Sequence, residues 1–362
     1  MVNCMKIAYI VNGLYNSAGM ERVLTVRANS LCNFFDITFI TKAQGNRPDY
    51  FPLDKTIHRI DIAEVVPYRE ELEKCLLEHK FDITISTGGS EFYFLYKIKD
   101  GSKKIFEFHF SYDISQVWMG GIKNPVKRKV LAELQKFRRI YIAKRYDKVV
   151  VLTKTDCEKW RRWIGNVIYI YNPLTISPKE KSVMKNKVAI AVGRLNYQKG
   201  FDYLIDAWEL VHNSFPDWKL NIYGDGVLKE QLTMQITRRG LTDSIMLCGA
   251  TDDIISRYCE SSIFVLSSRD EAFGLVLTEA EACGLPIVAF DCPSGPRELI
   301  EDGGNGFLVR PVGNIEQLAN RIIKLISDAS LRQKMGQHSY ELSQKFSIEN
   351  ISKEWIQLYN QL

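Results

Sequence analysis

The 362-residue sequence lacks several features that would place it in a familiar class. It has no apolar run of the roughly 18 residues that a membrane-spanning helix requires, so no such helix is expected. It has no Asp-x-Asp pair, which a metal-bridged diphosphate site usually needs because Mg²⁺ and Mn²⁺ prefer oxygen ligands. No strand-like segment leads into Gly-x-Gly-x-x-Gly, which argues against a dinucleotide-dependent oxidoreductase. We therefore expect neither a metal nor a cofactor.

The eight cysteines are scattered, with none at Cys-x-x-Cys spacing and none near a histidine at zinc-site spacing. We interpret them as small buried side chains in a reducing compartment, and we expect a cytoplasmic protein. The net charge of +5 is low for a protein that binds nucleic acid over a broad surface. We therefore expect no nucleic-acid partner.

The positive charge is concentrated in Lys123–Lys148, which contains ten Lys or Arg and two Asp or Glu. A helical pattern over 126–145 places five apolar residues on one face: Val126, Val130, Leu134, Phe137 and Tyr141. Trp160 and Trp163 follow. One interpretation is a peripheral contact of Lys123–Lys148 with an anionic membrane, on its inner face. The other is a helix packed into the core with a solvated basic face.

Short apolar runs alternate with helical patterns, which is typical of parallel sheets covered by helices. Predicted strands are 6–11, 37–41, 57–62, 83–86, 104–108 and 148–152, then 188–192, 220–223, 245–248, 263–267, 286–290 and 306–309. Predicted helices are 21–31, 70–79, 126–145, 201–214, 227–238, 254–259 and 276–283. Two such series predict an α/β protein with two doubly wound, Rossmann-like domains. We place them at 1–173 and 174–345, with a final amphipathic helix at 346–362.

Two glycines, Gly13 and Gly19, lie in the loop between the first predicted strand and helix. Such a loop lets backbone N–H groups approach a phosphate at a helix N-terminus. The alternative is that both are simple turn glycines. In the second series, Arg194 and Lys199 follow a strand and precede a helix. There they could bind a diphosphate at the carboxyl edge of the sheet, or they could belong to a solvated basic loop.

A second pair of charged residues follows the strand 263–267, where Glu271 lies in a Gly-containing loop and Glu279 lies inside the next helix. Eight helical positions rise about 12 Å, so the two carboxylates could hold separate hydroxyl-bearing parts of one extended ligand. The alternatives are a helix-start acid for Glu271 and an exposed helix acid for Glu279.

Two further candidates lie at strand ends. The turn-rich segment 291–298 could use Ser294 and Gly295 to cap a short helix and present amides to phosphate, with Arg297 adding charge; an ordinary capped turn is nearly as plausible. His109 ends the predicted strand 104–108 and could donate a hydrogen bond to a substrate. A strand-end histidine with a structural partner is the alternative.

Together these motifs resemble the retaining GT-B glycosyltransferases of family 4, also called glycosyl transferases group 1. The resemblance covers essentially the whole chain and is strongest over 188–309. It rests on the Gly13 to Glu21 loop, on Gly193-Arg194 with Lys199-Gly200, on Glu271 with Glu279, and on the Gly-Asn-Gly-Phe-Leu-Val run at 304–309. One departure is the first loop, which reads Ser-Ala-Gly-Met-Glu where the family more often has paired glycines.

The resemblance implies two domains facing each other across a cleft, with the acceptor on the first and the nucleotide sugar on the second. It implies that Arg194 and Lys199 bind the donor diphosphate, and that Glu279 holds the ribose. Glu271 would contact the donor sugar, together with the adjacent residues Ala272, Phe273, Gly274 and Leu275. His109 would contact the donor sugar, and Gly13 and Gly19 would let their loop approach the diphosphate. It also implies that the last helix packs on the first domain.

The resemblance therefore implies a retaining, metal-independent transferase. It would move a hexosyl or N-acetylhexosaminyl unit from a nucleotide sugar, with UDP favoured, to a polysaccharide or lipid-linked acceptor. A non-hydrolysing nucleotide-sugar epimerase and a non-catalytic sugar-nucleotide-binding scaffold at the membrane are the alternatives.

Overall fold

The computed structural model describes residues 4–62 and 67–362. The chain forms two compact units, one made of Met1–Thr175 with Phe346–Leu362 and the other of Ile176–Lys345. The prediction of two doubly wound α/β domains is confirmed, since each unit is built on one parallel sheet flanked by helices.

The sheet of the first unit has seven parallel strands in the order β3-β2-β1-β4-β5-β6-β7. Its strands are β1 Lys6–Val11, β2 Asp36–Thr41, β3 His58–Asp61, β4 Ile83–Ser86, β5 Lys103–Phe108, β6 Lys148–Val151 and β7 Val167–Tyr169. All four residues of β4 are buried, as in most of this sheet, because helices cover both faces. The two edge strands are less buried: the four residues of β3 are exposed or half-buried, and two of the three residues of β7 are half-buried.

The sheet of the second unit has six parallel strands in the order β10-β9-β8-β11-β12-β13. Its strands are β8 Val188–Val192, β9 Lys219–Tyr223, β10 Ile245–Gly249, β11 Ile263–Leu266, β12 Ile287–Phe290 and β13 Gly306–Val309. The chain winds from β8 through β9 to β10 and then returns to the other side of β8 as β11. The strand order therefore reverses beside β8, the position at which open α/β sheets bind ligands.

The helices of the first unit are α1 Gly19–Leu31, α2 Tyr68–His79, α3 Ser115–Trp118, α4 Pro125–Ala143, α5 Lys154–Arg161 and α13 Ile348–Asn360. Those of the second are α6 Phe201–Ser214, α7 Lys229–Arg238, α8 Ile254–Cys259, α9 Leu275–Ala282, α10 Pro296–Leu299, α11 Ile315–Ser327 and α12 Ala329–Ser343. The sequence analysis did not predict α5, α11, α12 or the short strand β7. The predicted start of α7 at Val227 is wrong, because the Leu228 amide donates to the Leu195 carbonyl and Val227 itself is 90% exposed.

The last helix, α13, packs against α1 and completes the core of the first unit. Its Trp355 is buried, and the guanidinium of Arg27 lies 3.9 Å from the centre of a Trp355 ring. The Tyr359 and Tyr9 hydroxyls are 2.8 Å apart, so β1 and α13 are joined by a buried hydrogen bond. The first unit is thus closed by a helix that begins about 180 positions after the end of its own last strand, β7.

Candidate active site

The loops after β8 and β11 meet at the carboxyl edge of the second sheet. They bring Lys199 and Glu271, which are 72 positions apart in sequence, into direct contact. The Lys199 Nζ atom lies 2.5 Å from Glu271 Oε2, and the two side chains are 15% and 13% exposed. The Ser268 hydroxyl also donates to Glu271 Oε2, over 3.3 Å. A charge-assisted bond of this kind, largely screened from water, fixes both side chains at the edge where ligands bind.

Glycines allow the loop after β8 to take this path. Gly200 has a φ of +62°, and a Cβ atom there would overlap the Ser267 carbonyl oxygen. A Cβ atom on Gly224 would overlap the Gly193 carbonyl oxygen, and one on Gly226 would lie 2.8 Å from the Leu195 amide nitrogen. The loops after β8, β9 and β11 can therefore pack backbone against backbone only because these positions carry no side chain.

Arg269 holds the same loops together from the side. Its guanidinium donates to both carboxylate oxygens of Asp202, over 2.8 and 2.5 Å, and to the Tyr197 carbonyl over 2.7 Å. It also lies over the rings of Tyr197 and Tyr203, at about 4 Å. Arg269 is therefore a brace between α6 and the loop that contains Glu271, and the sequence analysis gave it no role.

The loop from Glu271 to Gly274 leads directly into α9. Glu271 exchanges backbone hydrogen bonds with the segment after β12: its amide donates to the Pro293 carbonyl, and its carbonyl accepts from Ser294 and Gly295. Gly274 has a φ of +90° and begins the helix. In the described part of the chain, the amides of Ala272, Gly274 and Leu275 donate to no acceptor. These N–H groups at a helix N-terminus, beside Lys199, form an arrangement suited to an anion.

Glu279 lies further along α9 and is not an exposed helix acid. Its side chain is almost fully buried, and Oε2 accepts a hydrogen bond from the Tyr258 hydroxyl over 3.0 Å. Two positions later, Glu281 is also buried and accepts from the Asn305 amide over 2.9 Å. Burial raises the pKa of Glu281 well above its usual range, and the hydrogen bond from Asn305 only partly opposes that shift. Glu281 therefore links α9 to the segment 304–309. Glu279 takes no part in that link and bonds to Tyr258 of α8 instead.

Arg194 is in the same loop as Lys199, but the structure does not bring it to the Lys199–Glu271 pair. Its side chain is exposed and makes no ion pair or side-chain hydrogen bond with any residue in the described ranges. Of the two residues expected to cap the short helix α10, Gly295 is its N-cap. No side chain accepts a hydrogen bond at that position, so Ser294 does not cap the helix with its hydroxyl. Arg297 instead pairs with Asp291, over 3.0 Å.

In the first unit, His109 follows β5 and lies beside the carboxylate of Glu107. Its Nε2 atom lies 3.2 Å from Glu107 Oε1. Both Glu107 oxygens also accept from Arg27 of α1, over 2.7 and 2.6 Å. Burial lowers the pKa of His109, and the Glu107 carboxylate only partly opposes that shift, so the imidazole is neutral at neutral pH. The Nε2 atom of His109 is buried and makes no hydrogen bond with the described residues, although it lies close to Glu107.

The loop after β1 contains Gly13 and ends at Gly19, the first residue of α1. A Cβ atom on Gly13 would overlap the Tyr15 ring, so a side chain at this position would require Tyr15 to move. The Leu14 amide donates to the side chain of Gln44, over 2.7 Å. Ala18 is the N-cap of α1 and provides no side-chain acceptor, which leaves the first turn of the helix without a side-chain cap.

Sequence reasoning did not identify Tyr258, Gln44 or the Arg27–Glu107 pair. None of them belongs to a local motif, and each acts on a residue far away in sequence. The segment Gly224-Asp-Gly226 after β9 was recognisable in the sequence, since two glycines at the end of a strand indicate close backbone contact.

No helix within residues 4–62 and 67–362 is both long and apolar enough to cross a bilayer.

Comparison with known proteins gives concordant results. The model of the family described as glycosyl transferases group 1 matches residues 174–342. An uncharacterized glycosyltransferase of Haemophilus influenzae is 32% identical, with 97% of this chain and 98% of that protein covered. The amylovoran biosynthesis glycosyltransferase AmsD of Erwinia amylovora is 27% identical, with 98% of this chain and 99% of that protein covered.

Solved structures with the same fold include that of a TarM variant from S. aureus in complex with fondaparinux, α-GlcNAc-glycerol and UDP. It superposes with a TM-score of 0.79 over 98% of this chain and 100% of that chain, at 18% identity. At this level of identity the likeness concerns the fold.

Proposed function

Because this chain belongs to the glycosyl transferases group 1 family, it is a glycosyltransferase with the GT-B fold, and we propose a specific reaction for it. It transfers a hexosyl or N-acetylhexosaminyl unit from a nucleotide sugar, with a UDP-sugar favoured, to a polysaccharide or lipid-linked acceptor. The anomeric configuration is retained and no metal is required. The observation that supports this most is the Lys199–Glu271 pair beside the open amides of α9, where the strand order reverses.

In this reaction the bond between the anomeric carbon and the diphosphate oxygen breaks, and an acceptor hydroxyl oxygen bonds to the same face of that carbon. Negative charge grows on the leaving diphosphate. The Lys199 ammonium and the amides at the start of α9 stabilise that charge, and the exposed Arg194 side chain turns towards the diphosphate when it binds. Fixed donors of this kind typically contribute about 3–4 kcal/mol each to the transition state. They supply the positive charge that a metal provides in other transferases.

The two glutamates have different surroundings, which supports two roles. Glu271 is at the loop, paired with Lys199, and contacts donor-sugar hydroxyls with one oxygen. Glu279 is buried and oriented by Tyr258, so its carboxylate is preorganised to accept from two ribose hydroxyls. The contact of His109 with the donor sugar stays a prediction that rests on the family resemblance.

The preference for a UDP-sugar and a cell-envelope acceptor is supported by relatives. The TarM structure contains UDP and α-GlcNAc-glycerol. A poly(ribitol-phosphate) α-N-acetylglucosaminyltransferase of Staphylococcus aureus is 26% identical over 86% of this chain.

The assignment is tested with Lys199→Met, measured by release of UDP from UDP-glucose and UDP-N-acetylglucosamine. We expect kcat/KM to fall about 10²–10³-fold. Lys187→Met is the matched control, because Lys187 precedes β8 at the other edge of the same sheet and pairs with the exposed Asp217. Equal turnover in the two variants would show that Lys199 has no role with the leaving group. Addition of EDTA should leave wild-type turnover unchanged, and loss of turnover with recovery on Mg²⁺ would refute metal independence.

We also infer that α4 lies on an anionic membrane surface. The five apolar residues at 126, 130, 134, 137 and 141 are not packed into the core. Their exposed fractions run from 43% at Phe137 to 71% at Val126. The core-facing residues of α4 are others: Ala132, Arg139, Ile140, Ile142 and Ala143. Trp163 is 49% exposed and contacts Phe137, whereas Trp160 is fully buried and takes no part. An apolar stripe flanked by lysines and arginines is typical of helices at the membrane interface.

Vesicle flotation tests this location. Wild-type protein should float with phosphatidylglycerol vesicles at low salt, much less at high salt, and hardly at all with pure phosphatidylcholine vesicles. The double variant Leu134→Ser/Phe137→Ser should lose binding. Val227→Ser/Met234→Ser, which removes two exposed apolar side chains from the second unit, should retain it. Absence of wild-type binding at low salt would exclude the proposal.

A further inference from the structure

An open pocket lies in the first unit, at the carboxyl ends of β4 and β5 and against α3 and α4. Its enclosed volume is about 120 Å³, which is small, and the pocket is open to solvent at its mouth. Its walls are mainly aromatic, and Gln135, Arg138 and Arg139 of α4 line it as well. All the residues that line this pocket belong to the first unit, whereas the Lys199–Glu271 pair belongs to the second.

Arg139 is the unusual residue in this pocket. Its side chain is 6% exposed, and it makes no ion pair with any carboxylate of the described residues. Two of its nitrogens are satisfied by neutral groups: Nη2 donates to the Tyr112 carbonyl over 2.8 Å and Nη1 to the Ser115 hydroxyl over 3.3 Å. Its Nε atom is buried and has no hydrogen-bond partner. The Oε1 atom of Gln135, also in the pocket wall, is likewise buried and unpaired.

Arg27, in the same unit, is a second buried guanidinium, and its surroundings differ from those of Arg139. It is 1% exposed and both Glu107 oxygens neutralise it. Within the described ranges, no carboxylate bonds directly to Arg139, although the charges of Asp113 and Asp156 act on it from further away. Burial lowers the pKa of Arg139 to about 10, so it still carries its charge at neutral pH. A buried cation without a directly bonded anion is costly, and an anionic ligand in contact with it would reduce that cost.

The aromatic side chains indicate the rest of the ligand. Phe110 and Trp118 are in edge-to-face contact, with ring centroids 5.2 Å apart, yet they are 40% and 46% exposed. Phe108 lies behind them, 4.5 Å from the Arg139 guanidinium. Exposed aromatic rings beside polar side chains are surfaces on which the apolar C–H face of a sugar ring packs. Arg138, exposed at the mouth, adds a second positive charge.

We propose that this pocket binds an anionic sugar of the acceptor, with the pyranose ring against Trp118 and Phe110 and a phosphate or carboxylate on Arg139 and Arg138. The proposal rests on the glycosyltransferase function, because it names the class of acceptor. Helix α4 then has two uses. Residues 135, 138 and 139 face the pocket, while the apolar stripe at 126–141 lies on the other side, since residues are about 100° apart around a helix.

The test is binding of glucose 6-phosphate, glucuronic acid and uncharged glucose, measured by ligand-observed NMR at millimolar concentration. Wild-type protein should bind at least one of the two anionic sugars and bind glucose at least about tenfold more weakly, as expected for hydrogen bonds to a charged group. Comparison of glucose 6-phosphate with glucuronic acid shows whether a phosphate or a carboxylate is preferred. Equal binding of glucose, or no binding of either anion, would overturn the proposal.

Variants locate the site. Arg139→Gln, Arg138→Gln and Trp118→Ala should each weaken binding of the preferred anion about tenfold or more. Arg138 and Trp118 are exposed, so their substitution should leave the fold intact. These two variants therefore test the location of the site even if Arg139→Gln does not fold. Arg161→Gln, an exposed arginine on α5, is the matched control and should bind as wild type does. Unchanged binding in Arg138→Gln and Trp118→Ala would place the sugar elsewhere.

Binding of UDP separates this proposal from the proposed function. UDP affinity should be unchanged in the pocket variants and reduced in Lys199→Met. If the anionic sugar binds at the pocket but no UDP-sugar is turned over, the proposed reaction is rejected and the proposed pocket ligand is retained. If turnover is normal and the anionic sugars do not bind, the proposed pocket ligand is rejected and the proposed reaction is retained.

Discussion

Substitution of Gly200 by alanine should separate the loops that contain Lys199 and Glu271. Gly200 has a φ of +62°, and an added Cβ atom would overlap the Ser267 carbonyl oxygen and lie 3.1 Å from the Ser267 carbonyl carbon. Both atoms belong to backbone, so no side chain can turn away to make room. The Ser267 hydroxyl also donates to the Lys199 carbonyl over 3.0 Å, which means that the clash falls directly between the two loops.

The size of the effect follows from two contributions. An alanine in the left-handed region costs about 1–2 kcal/mol of stability, and forcing extra atoms into a packed site adds about 1–3 kcal/mol. Gly240 is a matched control, because its φ is +67° but a Cβ atom there would meet nothing within 4 Å. Gly240→Ala should therefore lose only about 1–2 kcal/mol of unfolding free energy, and Gly200→Ala about 2–5 kcal/mol.

Urea unfolding and UDP-sugar turnover measure the two consequences. Lys199 Nζ and Glu271 Oε2 are 2.5 Å apart in the intact loops, and a displacement near 1 Å in an active site can lower a rate about a hundredfold. We expect that loss of kcat for Gly200→Ala and near-normal kcat for Gly240→Ala. The reasoning is refuted if the two variants have the same stability, or if Gly200→Ala keeps wild-type kcat.

Three further predictions concern other parts of the site. Tyr258→Phe removes the hydrogen bond to Glu279 and should weaken UDP binding about tenfold by calorimetry, because bonds to a charged group are worth about 1.5–3 kcal/mol. Trp355→Ala should destabilise the first unit by about 3–5 kcal/mol in urea unfolding, since a fully buried indole over Arg27 is lost. The imidazole of His109 should titrate below 6.5 in an NMR pH series, because burial lowers its pKa. The free energy of unfolding should then fall as the pH drops below 6.5, because the unfolded chain takes up a proton there that the folded chain resists.

Each of these has a result that would contradict it. Unchanged UDP affinity in Tyr258→Phe would mean that Glu279 does not hold the nucleotide. Trp163→Ala is the control for Trp355→Ala, because Trp163 is half exposed, and equal loss in both would remove the special role of α13. A His109 midpoint at or above 6.5 would show that the imidazole is not desolvated as the structure has it.

The strands were predictable because most are short apolar runs buried on both faces, and their bounds differ from the expected ones by a residue or two. Helices α11 and α12 were not predicted. Helix α11 has a clear apolar face, with Leu318, Ile322 and Leu325 buried, but no functional motif drew attention to it. The strand β7 has only three residues, too few for a pattern.

For the site, the local sequence indicated Lys199 and Glu271 because each follows a strand in a glycine-containing loop. It could not indicate their partners. Tyr258 meets Glu279 from α8, and Glu107 is tied to Arg27 across 80 positions, so both contacts depend on how the helices pack. The burial of Glu279 was also beyond local reasoning, as was the exposure of the α4 stripe. A helical period locates an apolar face and does not tell whether that face meets protein or solvent.

The discontinuity of the first unit has a consequence for biosynthesis. During translation, the strands β1 to β7 emerge well before α13, and the whole second unit of roughly 170 residues is made in between. At about 5–20 residues per second, that interval lasts roughly ten seconds or more. Until Trp355 and Tyr359 arrive, the face around Arg27 and Tyr9 is uncovered. A nascent or prematurely ended chain would therefore present this face to chaperones and proteases, while its second unit could already be complete.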